Sequence, residues 1–131
     1  MIDSSIKLGF LTGDESKEMM EAHVQAGYII GEPFRSVEPY DFVKGNIAAR
    51  VSTLAAVMLR DRLTPPPKEA YTLHRKLSGA FLTCRKLEAK IECRTHFLEL
   101  YNNYEFGPEL PLEYKSASRD PIDSKLTPAS I

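Results

Sequence analysis

The chain has 131 residues, 43% of them hydrophobic, so it is the size of one domain and can bury a core. Its 17 basic and 18 acidic side chains give a net charge of -1, which offers no general reason to expect a nucleic-acid partner. No apolar run approaches the roughly 20 residues that span a bilayer, and the first residues lack the features of a secretory signal or a transit peptide.

The first predicted helix begins at Thr12 and ends near residue 30. The letters TGDE from Thr12 to Glu15 fit a capping box, in which the hydroxyl and the carboxylate each accept from the other residue's backbone N–H. Gly31 and Pro33 are expected to end the helix. Its predicted apolar stripe comprises Met19, Met20, His23, Ala26, Gly27 and Ile30.

The segment GEPFRSVEPYDFVKG is predicted to be a loop that aromatic side chains hold in place. Two Glu-Pro steps favour extended backbone at Glu32 and Glu38. Phe34, Tyr40 and Phe42 supply the apolar anchors.

Asn46 is a plausible N-cap for a second helix over residues 47–63. The pattern predicts that this helix is well covered and belongs to the core. Its core-facing residues are predicted to be Ile47, Val51, Leu54, Val57 and Met58.

Three consecutive prolines separate the second helix from a third, because proline cannot extend a helix but is tolerated in a first turn. The third helix is predicted over about residues 67–89, which makes it about 30 Å long. Its predicted stripe comprises Ala70, Leu73, Leu77, Ala80 or Phe81, Cys84 and Leu87.

A fourth helix follows in RTHFLELYNNYEF, with Phe97, Leu100, Tyr101 and Tyr104 at helical spacing. No segment shows the sustained alternation of a strand. The predicted fold is therefore all-α, with four helices over residues 1–106. Residues 107–131, rich in proline and polar side chains, are predicted to form a disordered tail.

The middle of the chain carries the main electrostatic feature. Residues 60–96 hold nine basic and four acidic side chains. Arg75, Lys76, Arg85 and Lys86 can share one side of the third helix, where an ordinary solvated face is the favoured interpretation and contact with anionic lipid or an acidic partner is the alternative. His74 beside them has no acid or nucleophile nearby, so it is interpreted as a packed structural histidine.

The other side chains that could be reactive are also given non-catalytic interpretations. Asp41, in the letters YDFV, lacks the glycine of a kinase metal-binding turn and is interpreted as a turn or cap residue. Glu15, Glu18 and Glu21 are spaced for one helix face but have no partner that would complete a metal set. Cys84 and Cys93 are predicted to be reduced thiols. No catalytic, cofactor-binding or metal-binding residue is therefore predicted.

Three stretches of the sequence resemble the UbiB (AarF-domain) family of atypical kinase-like proteins in its eukaryotic, mitochondrial branch. They are IKLGFLTGDESKEMMEAHVQAGYIIGEPF, EPYDF and VMLRDRLTPPPKEAYTLHRKLSGAFLTCRKLEAKIECRTHFLELYNNYEF. Together they cover about residues 6–106. The resemblance implies the helical end of a kinase-like C-lobe, downstream of the motifs that carry the family's chemistry.

For the parent protein, the resemblance implies a MgATP-binding ATPase that supports coenzyme Q biosynthesis on the matrix face of the inner mitochondrial membrane. Its partners would be the rest of the kinase-like domain, the biosynthetic complex and anionic lipid, and no nucleic acid. The chain itself is expected to be inactive and to bind no cofactor. Met1 is expected to be an internal methionine of a longer polypeptide, or the start of a truncated gene model or of a fragment. The alternative is an independent helical module that binds anionic membrane or an acidic protein.

Overall fold

The computed structural model describes residues 1–105 and is built mainly from helices. In chain order these are α1 (Ile2–Lys7), α2 (Lys17–Gly31), a 3₁₀ turn (Glu32–Phe34), α3 (Phe42–Gly45), α4 (Ile47–Asp61), α5 (Lys68–Lys86) and α6 (Arg94–Asn103). Strands β1 (Tyr40–Asp41) and β2 (Lys90–Ile91) form the only sheet within the described residues. The predicted all-α fold is confirmed, and the predicted tail at 107–131 lies outside the described residues.

The chain divides into two compact units, Met1–Leu98 and Glu99–Ile131. Within the second unit, the described residues 99–103 belong to α6. The first unit contains every other element.

Helix α2 begins later than the sequence predicts. It starts at Lys17, and its cap is Ser16, whose Oγ accepts from the Met19 N–H at 3.1 Å. The Glu15 carboxylate does reach back to the Thr12 N–H at 2.7 Å, but this bond closes a loop in front of the helix. The predicted start at Thr12 is therefore wrong, because a second capping residue lies four positions further on.

Helix α2 supplies most of the buried apolar side chains. Met19 and Ala26 of the predicted stripe are buried, and Ala22 and Ile29 join them. Helix α4 packs along this face. The predicted end of α2 at Gly31 is confirmed, but Glu32 is helical (φ -52°, ψ -43°), so the predicted extended backbone at that residue is wrong. Pro33 instead lies in the first turn of the 3₁₀ helix, where its missing N–H costs nothing.

Helix α4 is less covered than predicted. Of its predicted core residues only Ile47 is buried, and the other four are half-buried. Asn46 holds the N-cap position in the left-handed conformation (φ 42°, ψ 46°), but its side chain makes no cap bond and its buried Oδ1 has no partner within the described residues. The predicted position of the cap is thus correct, whereas the predicted cap bond is absent.

Helix α5 starts one residue after its predicted start and ends at Lys86, three residues before its predicted end, and none of its residues is buried. Ala70, Leu77, Phe81 and Cys84 are half-buried, whereas Leu73 is 61% exposed and Leu87 is 73% exposed. The predicted stripe is therefore too wide. Helix α5 contacts α3 and α4, and these contacts leave Leu73 and Leu87 uncovered.

Five aromatic rings form a cluster that includes Phe81, in the C-terminal half of α5. The centre of the Phe81 ring lies 5.6 Å from that of Phe42 and 6.5 Å from that of Phe34. The ring centres of Phe34 and Phe97 of α6 lie 5.3 Å apart. Tyr40 meets the edge of Phe42 at 5.1 Å. The prediction that aromatic side chains hold the loop in place is confirmed.

Strands β1 and β2 join the segment before α3 to the segment after α5. Tyr40 pairs with Ile91 and Asp41 with Lys90 in antiparallel register, and the Phe42 N–H donates to the Ala89 carbonyl at 3.2 Å. The sequence does not predict these strands, because two residues are too few to show alternation.

Replacing Phe81 by alanine should lower the free energy of unfolding by about 2–3 kcal/mol, because a half-buried ring that joins two aromatic neighbours is lost. Urea denaturation followed by circular dichroism measures the change. Leu82→Ala is the control: this neighbour is 49% exposed, so its loss should cost less than about 1 kcal/mol. Equal losses in the two variants would contradict the anchoring role of Phe81.

Candidate functional site

A bidentate ion pair joins the end of α2 to the first turn of α4. The Arg50 guanidinium donates to both carboxylate oxygens of Glu32, at 2.5 and 2.6 Å. The Tyr40 hydroxyl donates to the same carboxylate at 3.0 Å. A Cβ added to Gly45 would clash with the Tyr40 hydroxyl oxygen, so only glycine fits beside this ring.

The three side chains perturb one another's pKa values in a consistent way. The hydrogen bonds from Arg50 hold the pKa of Glu32 below its usual value. Burial and the Glu32 carboxylate raise the pKa of Tyr40 to about 12. All three groups are therefore in their ordinary charge states at neutral pH and serve to fix the loop against two helices. Sequence reasoning missed this network because Glu32 and Arg50 lie 18 positions apart with no local pattern to connect them.

A second polar cluster surrounds His23 on α2. Its Nε2 lies 2.9 Å from the Ser5 hydroxyl of α1, and its buried Nδ1 has no hydrogen-bond partner within the described residues. Phe10 packs between two histidines, with ring centres 6.1 Å from His23 and 5.5 Å from His74. Arg62 donates to the Phe10 carbonyl at 3.0 Å.

Burial, more than neighbouring charge, disfavours the protonation of His23. Burial lowers its pKa most, and the nearby Arg62 and His74 lower it further, while the Glu15 carboxylate opposes them. Glu15 is itself buried, which alone would raise its pKa, but N–H donors from Thr12 and Gly13 more than offset this and the pKa is lowered. At neutral pH His23 is therefore uncharged, because its pKa lies below the usual value of 6.5.

The residues that the sequence singles out are separated rather than gathered. Asp41 caps α3 by accepting from the backbone N–H groups of Val43 and Lys44 at 3.1 and 3.0 Å, which confirms its predicted role. Glu15 faces its own loop, Glu18 lies 3.3 Å from Arg60, and Glu21 pairs with Lys17. Within residues 1–105, no group of three or more His, Cys, Asp or Glu side chains is placed to hold a metal ion.

The remaining candidate side chains are exposed or half-buried. Arg75, Lys76, Arg85 and Lys86 are all exposed on α5, and the Arg75 guanidinium lies over the Tyr71 ring at 5.9 Å. His74 is exposed rather than enclosed, although its stack on Phe10 agrees with a structural role. Cys84 and Cys93 are free thiols, as predicted, and burial raises the pKa of Cys93.

An apolar groove of about 570 Å³ lies between α4 and α5, with α2 at its base. We call it the α4–α5 groove. Arg62 and His74 line it near Phe10, and Phe81 lines it at the end held by the aromatic rings. The other side chains include Ile30, Val51, Ala55, Met58 and Leu77. The sequence does not reveal this groove, because the pattern that creates it resembles that of two fully packed core helices.

Segment Phe42–Asp61, which includes α4, is long and apolar enough to cross a membrane, and only 11% of an apolar 18-residue window within it is buried. This differs from the sequence-based expectation, which counted uninterrupted apolar residues rather than average hydropathy. Length and composition alone are weak evidence, since core helices of soluble proteins meet the same criterion.

Comparisons with known proteins identify the class to which this helical unit belongs. No protein-family model matches the chain. It is 50% identical over 104 residues to "Atypical kinase COQ8B, mitochondrial" of Danio rerio, covering 79% of this chain and 17% of that protein. The protein of the same name in Rattus norvegicus is also 50% identical over 104 residues, covering 79% of this chain and 20% of that protein. "Atypical kinase COQ8, mitochondrial" of Saccharomyces cerevisiae is 42% identical over 101 residues, covering 76% of this chain and 20% of that protein.

The chain is thus related to the atypical kinases. It belongs to their UbiB family, in the mitochondrial branch that carries the COQ8 name, as the resemblance predicts. It spans about a fifth of the length of the curated relatives it matches. Their names support a mitochondrial location for this chain.

Lowering the pH below about 6.5 should destabilise the protein through His23. Because its pKa is lower in the folded than in the unfolded state, the unfolded chain binds the proton first, so stability present above pH 6.5 is lost as the pH falls towards the folded pKa. Urea denaturation at a series of pH values measures this loss.

His23→Gln is the matched control, because glutamine can still bond to Ser5 but does not titrate. The stability of the variant should depend less on pH between about 7 and 5 than the stability of the wild type. Identical pH profiles would contradict the assignment.

Proposed function

We propose that this chain is the C-terminal helical part of an atypical kinase-like ATPase that supports ubiquinone biosynthesis in mitochondria. The observation that carries the proposal is its 42–50% identity to COQ8 proteins over about four fifths of its length. The nucleotide chemistry would belong to the rest of the polypeptide. MgATP would be the cofactor of the whole protein, which would act on the matrix face of the inner membrane.

The contacts of the polar side chains support a structural role for the chain. Asp41 is used as a helix cap, Glu32 is bound by Arg50 and Tyr40, and Glu15 is turned into its own loop. A catalytic acid or base needs a free lone pair or proton within reach of a substrate. These three carboxylates instead hold loops and helix ends together, as expected of the part of a domain that supports a site built elsewhere.

The partners would be the remainder of the kinase-like domain and, through the whole protein, other components of the ubiquinone biosynthetic complex. Exposed apolar side chains support the first of these. Leu59 is 84% exposed and Leu63 is 59% exposed at the end of α4, together with Leu73 on α5. Monomeric proteins rarely leave large contiguous apolar patches in water, so a covering surface is expected.

A second candidate function is a docking surface for anionic membrane. It is favoured by the exposed cluster Arg75, Lys76, Arg85 and Lys86, none of which forms an ion pair with a residue of 1–105. Each basic side chain near an anionic surface contributes about 1 kcal/mol of attraction. This role is compatible with the first, since the same helix could face lipid in the longer protein.

Purified residues 1–131 should show no saturable binding of MgATP in isothermal titration calorimetry, because the proposed nucleotide site lies in other parts of the protein. The full-length Danio rerio relative is the positive control. Saturable binding by the 131-residue chain would contradict the proposal that the nucleotide site lies in other parts of the protein.

Reversing the four basic side chains to glutamate should abolish sedimentation with vesicles of one part phosphatidylglycerol to three parts phosphatidylcholine. Far-UV circular dichroism should be unchanged, because all four residues are exposed. A variant that reverses Arg35, Lys44, Lys7 and Lys17 gives the same change in charge at exposed positions outside α5 and should retain binding. Equal binding by the wild type and the α5 variant would exclude this surface.

A further inference from the structure

The α4–α5 groove has the chemistry of a surface that is normally covered. Its walls are aliphatic and aromatic along most of its length, and none of its lining residues is acidic. About 570 Å³ of apolar space is far more than one side chain would fill. Water in such a groove gains few hydrogen bonds from the walls, so covering it with apolar groups is favourable.

The side chains of Arg62 and His74 line the groove near Phe10. Arg62 is half-buried, donates to the Phe10 carbonyl and has no carboxylate within ion-pair distance among residues 1–105. Burial lowers its pKa, and Glu15 opposes this only at longer range. A partly buried guanidinium without an acid is costly, and a carboxylate from outside would compensate it.

A lipid bilayer fits this groove less well than a polypeptide does. Helix α4 packs along α2 and is tied by Arg50 to Glu32 and by Arg60 to Glu18. Crossing a membrane would break both pairs and place two arginines in hydrocarbon. The groove is also concave, and side chains of another protein segment can fill a concave surface, which a flat membrane surface cannot.

We propose that the α4–α5 groove seats an apolar segment from the remainder of the longer polypeptide, and that this segment carries a carboxylate that pairs with Arg62. The inference rests on the proposed function, since the chain spans about a fifth of the length of its relatives and the remainder supplies the occupant. Under this proposal, the rest of the polypeptide covers the α4–α5 groove with apolar side chains and makes one charged contact there, to Arg62.

Accessibility of a thiol in the groove tests the proposal. Ser52 is exposed and lines the groove, whereas Ala56 is exposed one turn further along α4 and does not line it. Ser52→Cys and Ala56→Cys would each be made in the 131-residue chain and in a longer protein, in which this chain replaces the matching segment of the Danio rerio relative. Maleimide labelling of each position is followed by peptide mass spectrometry.

The labelling rate at Ser52→Cys should fall at least tenfold from the short chain to the longer protein, and by more than the rate at Ala56→Cys. An unchanged rate at Ser52→Cys would overturn the proposal. Binding of MgATP by the longer protein is measured in parallel and tests the proposed function separately. Binding together with an unprotected Ser52→Cys would reject the groove proposal alone, whereas protection without binding would reject the proposed ATPase function alone.

The charged contact has its own comparison. Arg62→Met should lower the melting temperature more in the longer protein than in the 131-residue chain, because only the longer protein would lose both the Phe10 bond and the incoming carboxylate. Equal losses would show that no acid meets Arg62 and would overturn that part of the proposal.

Discussion

The ring of Phe81 is the contact on which the arrangement of the helices depends most. Helix α5 buries none of its residues, so its position cannot come from a continuous apolar seam. It is fixed where Phe81 meets Phe42 and Phe34, and again where His74 stacks on Phe10. Between these two attachments, Leu77 and Ser78 line the α4–α5 groove.

This mode of attachment connects the packing to the family relationship. A domain that folded only for itself would be expected to close such a groove, because apolar burial supplies most of the stability of a small fold. A unit that belongs to a larger domain gains the same stabilisation from its neighbours. The Glu32–Arg50–Tyr40 network keeps the ends of α2 and α4 and the loop between them in place, so the open groove retains a defined shape.

Much of the secondary structure could be predicted from local signals. The prolines before Lys68, the end of α2 at Gly31 and the cap at Asp41 each follow from the backbone preferences of single residues. The start of α2 could not, because Thr12 and Ser16 both carry capping signals and only packing decides between them. The burial of α4 and α5 was overpredicted, since a periodic stripe shows which face is apolar but not whether anything covers it. The Ser5–His23 and Glu32–Arg50 contacts join residues 18 positions apart, beyond any local pattern.

The central claim is that this chain works as one part of a larger atypical kinase, and the size of the protein in its own cells tests it most directly. An antibody raised against residues 62–96 would recognise exposed side chains of α5. The account predicts a mitochondrial band several times larger than the 14.8 kDa of this chain. A single band at 14.8 kDa would contradict the account and favour an independent helical module.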